Sequence, residues 1–258
     1  MEPRGGVPPA CAEFPQRQKA GICRTRKICD KGRAALRIAG LEKFSTVDFP
    51  GSLAAVLFAA CCNYRCFYCH NRHILGEPPL LSEAEVLAFL QKRAGLLDGV
   101  VFSGGEPTLQ SDLPEWLRRV RALGYKTKLD TNGSRPEVLR ALIADGLVDY
   151  VAMDYKAPLE GYPSLCGANS AGVPESLALL RGSGVPYELR TTLVPQITEA
   201  KLRRMAAAVP ADASWFLQLY RPQPGDEAQL CGLAPYTPGE IEALAETLRR
   251  VRPNVKAR

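Results

Sequence analysis

The run Cys61-Cys62-Asn63-Tyr64-Arg65-Cys66-Phe67-Tyr68-Cys69-His70-Asn71 decides how the rest of the chain is read. Cys62, Cys66 and Cys69 stand in C-x3-C-x2-C spacing. Thiolates two or three residues apart in one loop can converge on a single metal centre, as iron–sulfur and zinc loops both do. A cubane cluster carries four irons, so three protein thiolates leave one iron open to an outside ligand, an arrangement suited to catalysis. Two other readings fit the same run. Cys61 with Cys66 and Cys69 gives the C-x4-C-x2-C spacing of a [2Fe-2S] centre. Cys62, Cys66 and Cys69 with His70 or His73 give a structural zinc set.

The run directly follows an apolar, strand-sized stretch, Leu53–Ala59. Further strand-like stretches occur at Gly99–Ser103, Lys126–Asp130, Asp149–Asp154, Tyr187–Leu193 and Trp215–Tyr220. Helical periodicity fills the intervals: from Ser82 to about Ala94, then near Leu113–Leu123, Pro136–Ala144, Pro174–Arg181, Glu199–Ala208 and Pro238–Val251. Ser82-Glu83-Ala84-Glu85 carries a capping-box signature, and Pro114, Pro136 and Pro174 suit first-turn positions, where a missing N–H costs nothing. Strands alternating with helices predict an α/β fold with a parallel sheet and crossover helices. In such sheets the chemistry collects at the C-terminal ends of the strands, and every candidate motif sits at such an end.

The 258 residues suffice for one α/β domain with a full core. No run approaches the roughly 18 apolar residues of a membrane span. The first twenty residues lack the apolar stretch of a secretory signal, so a cytoplasmic location and no membrane partner are expected. Residues 1–35 show no apolar period and read as a basic, disordered extension, leaving 36–258 as the folded domain. The net charge of +6 is spread over many Lys and Arg, with a local concentration in residues 17–37, and lacks the aromatic interleaving or the module of a nucleic-acid binder, so no nucleic-acid partner is expected. The nine cysteines are odd in number and four fall within nine positions, which favours metal or redox chemistry over a disulfide framework. Cys11, Cys23 and Cys29 match no compact ligand set; Cys61, Cys166 and Cys231 read as packing residues, the last two as small buried hydrophobes. His70 and His73, the only histidines, are read as neighbours of the centre or surface residues.

Other strand ends carry polar groups. Ser103-Gly104-Gly105-Glu106-Pro107 offers two glycines where backbone can approach a ligand closely. Asp130-Thr131-Asn132-Gly133 puts a carboxylate at a strand terminus and Asn-Gly in a turn. Asp154-Tyr155-Lys156 offers a cation for a carboxylate and a carboxylate for a cation. Arg190 and Thr192 lie on the fifth predicted strand, Gln218 and Tyr220-Arg221-Pro222 on the sixth.

The cysteine loop, with Tyr68 just before its last cysteine, resembles the signature of radical S-adenosylmethionine (SAM) enzymes. The resemblance implies a [4Fe-4S] cluster on Cys62, Cys66 and Cys69 as the catalytic and metal centre. It implies SAM chelating the open iron and, on one-electron reduction, releasing methionine and a 5′-deoxyadenosyl radical. Gly104-Gly105-Glu106 looks like the family's GGE motif, which holds the SAM amino group; Asp130-Thr131-Asn132-Gly133 and Asp154-Tyr155-Lys156 look like the DTNG and D-x-K motifs of glycyl-radical-enzyme activases. The cofactor-binding set expected from the resemblance is Tyr68, Gly104, Gly105, Glu106, Asp130, Asp154, Lys156 and Arg190.

Phe44-Ser45-Thr46-Val47-Asp48-Phe49-Pro50-Gly51 resembles the lead-in of anaerobic ribonucleoside-triphosphate reductase activating proteins, which are similar to pyruvate formate-lyase activases. This implies a partial (β/α)6 barrel spanning about residues 36–255, which takes hydrogen from a glycine of a partner glycyl radical enzyme. It also implies an electron donor of the flavodoxin or ferredoxin type. The chain lacks an inserted C-x2-C-x2-C-x3-C segment, so activases with extra clusters match poorly. The alternatives are a radical SAM enzyme acting on a small molecule, as in 7-carboxy-7-deazaguanine synthesis, and a non-catalytic iron–sulfur electron carrier.

Overall fold

In the computed structural model, which describes residues 36–258, eight strands form one sheet in the order β1 to β8. The strands are β1 (Ile38–Ser45), β2 (Ala54–Ala59), β3 (Gly99–Gly104), β4 (Lys126–Thr131), β5 (Tyr150–Asp154), β6 (Tyr187–Leu193), β7 (Ser214–Leu219) and β8 (Val255–Ala257). Strands β2 to β8 run parallel, and β1 pairs antiparallel with β2. The sheet curls into a partial barrel in which β1 and β8 do not pair. The expected six parallel strands are β2 to β7. Sequence reading missed β1 and β8, the first because its middle is exposed and mixed in polarity, the second because it spans three residues.

Helices α1 (Glu83–Arg93), α2 (Leu113–Ala122), α3 (Pro136–Ala144), α5 (Val173–Gly182), α6 (Glu199–Ala208) and α8 (Pro238–Arg249) are the six expected crossovers; α4 (Tyr162–Cys166) and α7 (Glu227–Leu230) are short additions. Ser82 and Glu85 form the capping box expected of them, and Thr237 with Glu240 forms a second at the start of α8. Prolines occupy the first turns of α2, α3 and α5. The expected extension over residues 1–35, with Cys11, Cys23 and Cys29, lies outside the described residues. No helix among the described residues is long and apolar enough to cross a membrane.

Strand alternation sorts side chains between two environments. Odd-numbered residues of β4 and β6, such as Leu129, Leu189 and Thr191, face the helices and join the main core with Trp116 and Trp215. Even-numbered residues, Lys128, Asp130, Glu188 and Arg190, face the barrel interior in register with Tyr150, Ala152 and Asp154 of β5. The N-terminal end of the barrel is closed by a separate apolar plug of Phe49, Ala54, Val56 and Val101, with Phe58 and Tyr150 against it. Phe49 packs so closely on Gly99 that a Cβ there would lie 2.8 Å from its ring. Above the plug the interior turns polar, and above that lies the site.

Candidate functional site

The cysteine loop starts where β2 ends. Cys61 adopts a left-handed backbone (φ 70°), turning the chain across the ends of the strands. Its N–H donates to the Ile74 carbonyl at 3.3 Å, and its own carbonyl accepts from Glu106 N at 2.8 Å. Gly105 lies against that carbonyl with no room for a side chain. Gly104, at φ 103°, lies 2.6–2.7 Å (as a built Cβ) from backbone atoms of Ala59. The two glycines therefore let the β3 end press directly against the root of the cysteine loop.

The loop is held at several further points. Arg65 N donates to the Cys166 carbonyl at 2.7 Å, Cys69 N to the Cys66 carbonyl at 3.1 Å, and Asn71 Nδ2 to the Gly104 carbonyl at 3.1 Å. The Cys62 sulfur accepts from Tyr64 N at 3.4 Å and from Asn132 Nδ2 at 3.7 Å. Such N–H donors to sulfur are what orient and tune a metal-bound thiolate.

Cys62, Cys66 and Cys69 line one cavity of about 410 Å³ together with Gly104, Gly105, Asp130, Asp154, Lys156 and Arg190, the size of a site for a cofactor-like molecule. Tyr68, buried, forms part of the wall and packs edge-on to Phe67 and Tyr220. Ten of the eleven residues expected from the sequence thus meet in one place. Among the described residues, no three His, Cys, Asp or Glu groups are drawn together as a single metal ion requires.

Glu106 is the exception. Its carboxylate is fully buried and is not part of the cavity lining. It accepts from Thr108 N at 3.2 Å, Thr108 Oγ1 at 2.5 Å, Thr131 Oγ1 at 2.8 Å and Asn132 N at 2.6 Å. Burial pushes this carboxyl up, and the four donors hold it back. Glu106 therefore ties the β3 end to the β4 end and sets the position of Asn132.

The floor of the cavity is an alternating row of charge. Lys128, buried at 1% exposure, pairs with Asp130. Arg190 bridges Asp130 at 3.2 Å and Asp154 at 2.9 Å, and Lys156 pairs with Asp154 at 2.9 Å. Burial alone would raise Asp154, but the Lys156 and Arg190 cations outweigh it and bring its carboxyl down to about 2. Asp130 is lowered in the same way by Arg190 and Lys128. Glu188, also turned to the interior and acting on Arg190, makes a third carboxylate against the three cations, so the row carries no excess charge; the two cations that reach the cavity are Lys156 and Arg190.

The thiols differ from one another. A hydrogen bond from Cys166 and the nearby Lys156 charge outweigh burial and lower Cys66 to about 7. Burial raises Cys62 and, against the Asn71 backbone N–H and the Lys156 and Arg72 cations in that order, Cys69. Cys166, buried as expected, is thus also a neighbour of the centre. Cys231 departs from expectation: it is half-buried, in a left-handed turn (φ 55°) at the end of α7, where the short helix leaves no core to enter.

Sequence reading also left Asn71, Asn132 and Tyr64 unassigned, although all three line the cavity. Asp48, Thr192 and Gln218 line it too, whereas Tyr220 turns away to donate to Asp226 at 2.5 Å. His70 lies at the cavity, its Nδ1 3.1 Å from Gln223 Nε2, and His73 is exposed.

Residues 56–209 match the radical SAM superfamily. A Methanocaldococcus jannaschii protein named "putative glycyl-radical enzyme activating enzyme" is 31% identical over 229 residues, covering 86% of this chain and 95% of that protein. The pyruvate formate-lyase-activating enzyme of Clostridium pasteurianum is 32% identical over 185 residues, covering 66% of this chain and 74% of that protein. Among solved structures, Streptococcus suis SuiB bound to precursor peptide SuiA superposes with a TM-score of 0.60 at 14% identity, covering 79% of this chain. It covers 48% of SuiB, so the chain spans about half of that protein and the likeness is one of fold.

A partial barrel with a three-thiol loop after its first parallel strand defines the radical SAM class. The chain belongs to the radical SAM superfamily and, within it, to the family of glycyl-radical-enzyme activating enzymes. It is a radical SAM enzyme, with a [4Fe-4S] cluster and SAM as its cofactors. The residues present fit that pair: three thiols with N–H donors to Cys62 on one side of the cavity, bare glycine backbone beside them, and the Lys156 and Arg190 cations among carboxylates in the same lining.

Proposed function

We propose that this chain activates an anaerobic ribonucleoside-triphosphate reductase by taking a hydrogen atom from a backbone glycine of that partner. The reading is carried by the shared cavity of Cys62, Cys66, Cys69, Gly104, Gly105, Lys156 and Arg190. Cluster and SAM together, with one electron from a flavodoxin- or ferredoxin-type donor, would supply the reductive cleavage chemistry by which the hydrogen is taken. Cys62, Cys66 and Cys69 would hold the cluster. Backbone at Gly104 and Gly105 would accept from the SAM ammonium, and Lys156 and Arg190 would offer cations to its carboxylate. Tyr68, Asp130 and Asp154 complete the wall and the charge balance, while Glu106 acts indirectly by fixing Asn132 and the Thr131 turn.

The choice of reductase as partner draws on the lead-in Phe44–Gly51. Ser45 Oγ donates to Asp48 Oδ2 at 2.5 Å and accepts from Val47 N at 3.2 Å, a tight turn that sets Asp48 on the cavity and leaves Val47 73% exposed beside it. β1 and β8 do not pair, which leaves the barrel unclosed, as entry of a protein loop would need.

The test is to reconstitute the protein anaerobically, reduce it, and mix it with SAM and candidate glycyl radical enzymes. A glycyl doublet in electron paramagnetic resonance on the reductase alone is the expected result. A doublet on a different enzyme would overturn the choice of partner. 5′-Deoxyadenosine formation with no doublet on any partner, but with turnover of a small molecule, would overturn the activase reading.

A further inference from the structure

Arg72 belongs to none of the motifs above, yet it joins the cysteine loop to a segment 154 residues away. Its Nη2 donates to the Phe67 carbonyl at 2.6 Å and to Asp226 Oδ1 at 2.5 Å, and its Nε to the Cys69 carbonyl at 3.2 Å. Asp226 is 1% exposed and is itself fixed: its Oδ2 accepts from Tyr220 hydroxyl at 2.5 Å and from Gln223 N at 3.0 Å. The Tyr220 ring stands edge-on to Phe67, with centroids 6.2 Å apart. One planar guanidinium thus spans two carbonyls of the cysteine loop and a buried carboxylate. A lysine ammonium, a point charge without the fork, cannot reproduce that geometry.

We propose that Arg72 is a positioning residue for the cluster and that Asp226 is its counter-charge. The clamp fixes the Phe67–Cys69 backbone, and so the direction of the Cys69 thiolate. Its guanidinium also places a positive charge beside the centre. A one-electron reduction adds negative charge, which a neighbouring cation stabilises and a neighbouring carboxylate opposes. Arg72 therefore makes the centre easier to reduce, and Asp226 limits that effect while holding Arg72 in place. The inference rests on the reading that Cys62, Cys66 and Cys69 hold the cluster.

The experiment compares anaerobically reconstituted wild type with Arg72→Gln, Arg72→Lys and Asp226→Asn. The measurements are iron content, iron release to a chelator, the cluster's reduction midpoint by redox titration, and the thermal melt. Arg72→Gln should release iron about tenfold faster, the lower end of what outer-shell changes cost metal sites, with a midpoint more negative than wild type. Asp226→Asn should also release iron faster, but with a midpoint more positive, because the Arg72 charge is no longer offset. Arg72→Lys should restore the midpoint while leaving iron release fast. Opposite midpoint shifts are the signature a purely structural brace would not produce. Should Arg72→Gln fail to fold, a positive midpoint shift in Asp226→Asn beside an unshifted, fast-releasing Arg72→Lys carries the comparison, and an unshifted Asp226→Asn overturns it. Midpoints unchanged or shifted in the same direction, or iron release within twofold of wild type, would overturn the proposal. A wild-type protein that binds no four-iron cluster would overturn the cluster assignment itself, and this inference with it.

Discussion

A side-chain carbon built on Gly105 would stand 1.8 Å from the carbonyl oxygen of Cys61. No rotamer relieves such an overlap, because both partners are backbone. Gly105→Ala must therefore push the root of the cysteine loop away from the β3 end and break the 2.8 Å bond from Glu106 N to Cys61 O. The expected cost is about 2 kcal/mol or more of stability. Iron content after reconstitution should drop, as read by iron analysis and the cluster's visible absorbance. Wild-type iron loading in Gly105→Ala would mean the close contact is not needed.

Lys156 is expected to matter for SAM rather than for the cluster. Lys156→Ala removes a charge-assisted contact worth about 1.5–3 kcal/mol, so SAM affinity should fall roughly tenfold or more. The cluster's spectrum should persist. Equilibrium dialysis of SAM against the loaded protein reads the first, and absorbance the second. Unchanged SAM affinity would remove Lys156 from the binding set.

Glu106→Gln tests the buried brace. The amide NH2 would replace either Oε2, facing the Asn132 N–H, or Oε1, facing the Thr108 N–H, and either way leave a buried donor without an acceptor at about 1–3 kcal/mol. Urea unfolding should move to lower denaturant by that amount. A variant as stable as wild type would mean these donors find other acceptors.

Asp154 predicts an acid dependence with a definite sign. Its carboxyl titrates at about 2 in the fold against an ordinary value near 4, so its stabilisation is complete above pH ~4 and disappears as pH falls toward 2. The shift is equivalent to about 2 kcal/mol. Unfolding free energy should thus decline between pH ~4 and ~2, and the gap between wild type and Asp154→Asn should narrow over the same interval. A constant gap would show that the Lys156 and Arg190 pairs do not stabilise the charged form.

Much of this arrangement was legible in the primary structure, for identifiable reasons. Helices Pro136–Ala144 and Glu199–Ala208 end where their apolar periods and caps end, and the Ser82–Glu85 box forms as its spacing requires. The motif residues converge because parallel strands deliver their C-terminal ends to one side of the sheet. What could not be read was direction and distance. Glu106 shares a motif with Gly104 and Gly105, but the positive φ of Gly104 breaks the strand pleat, so alternation no longer tells which way the next side chains turn. Arg72 and Asp226 are far apart in sequence and carry no periodic signal; only the folded chain brings them together. Cys231 reads as a core residue from its type alone, yet it sits on a four-residue helix with no buried face.

The plug of Phe49, Val56, Val101 and Tyr150 has a consequence for the order of events. It makes the chamber a dead end, with traffic confined to the rim and the seam beside β1. If a partner protein must cover that opening for chemistry to occur, spent cofactor fragments are trapped behind it until the partner departs. Each round would then be a single visit, with undocking rather than bond cleavage setting the pace at which the next molecule is served.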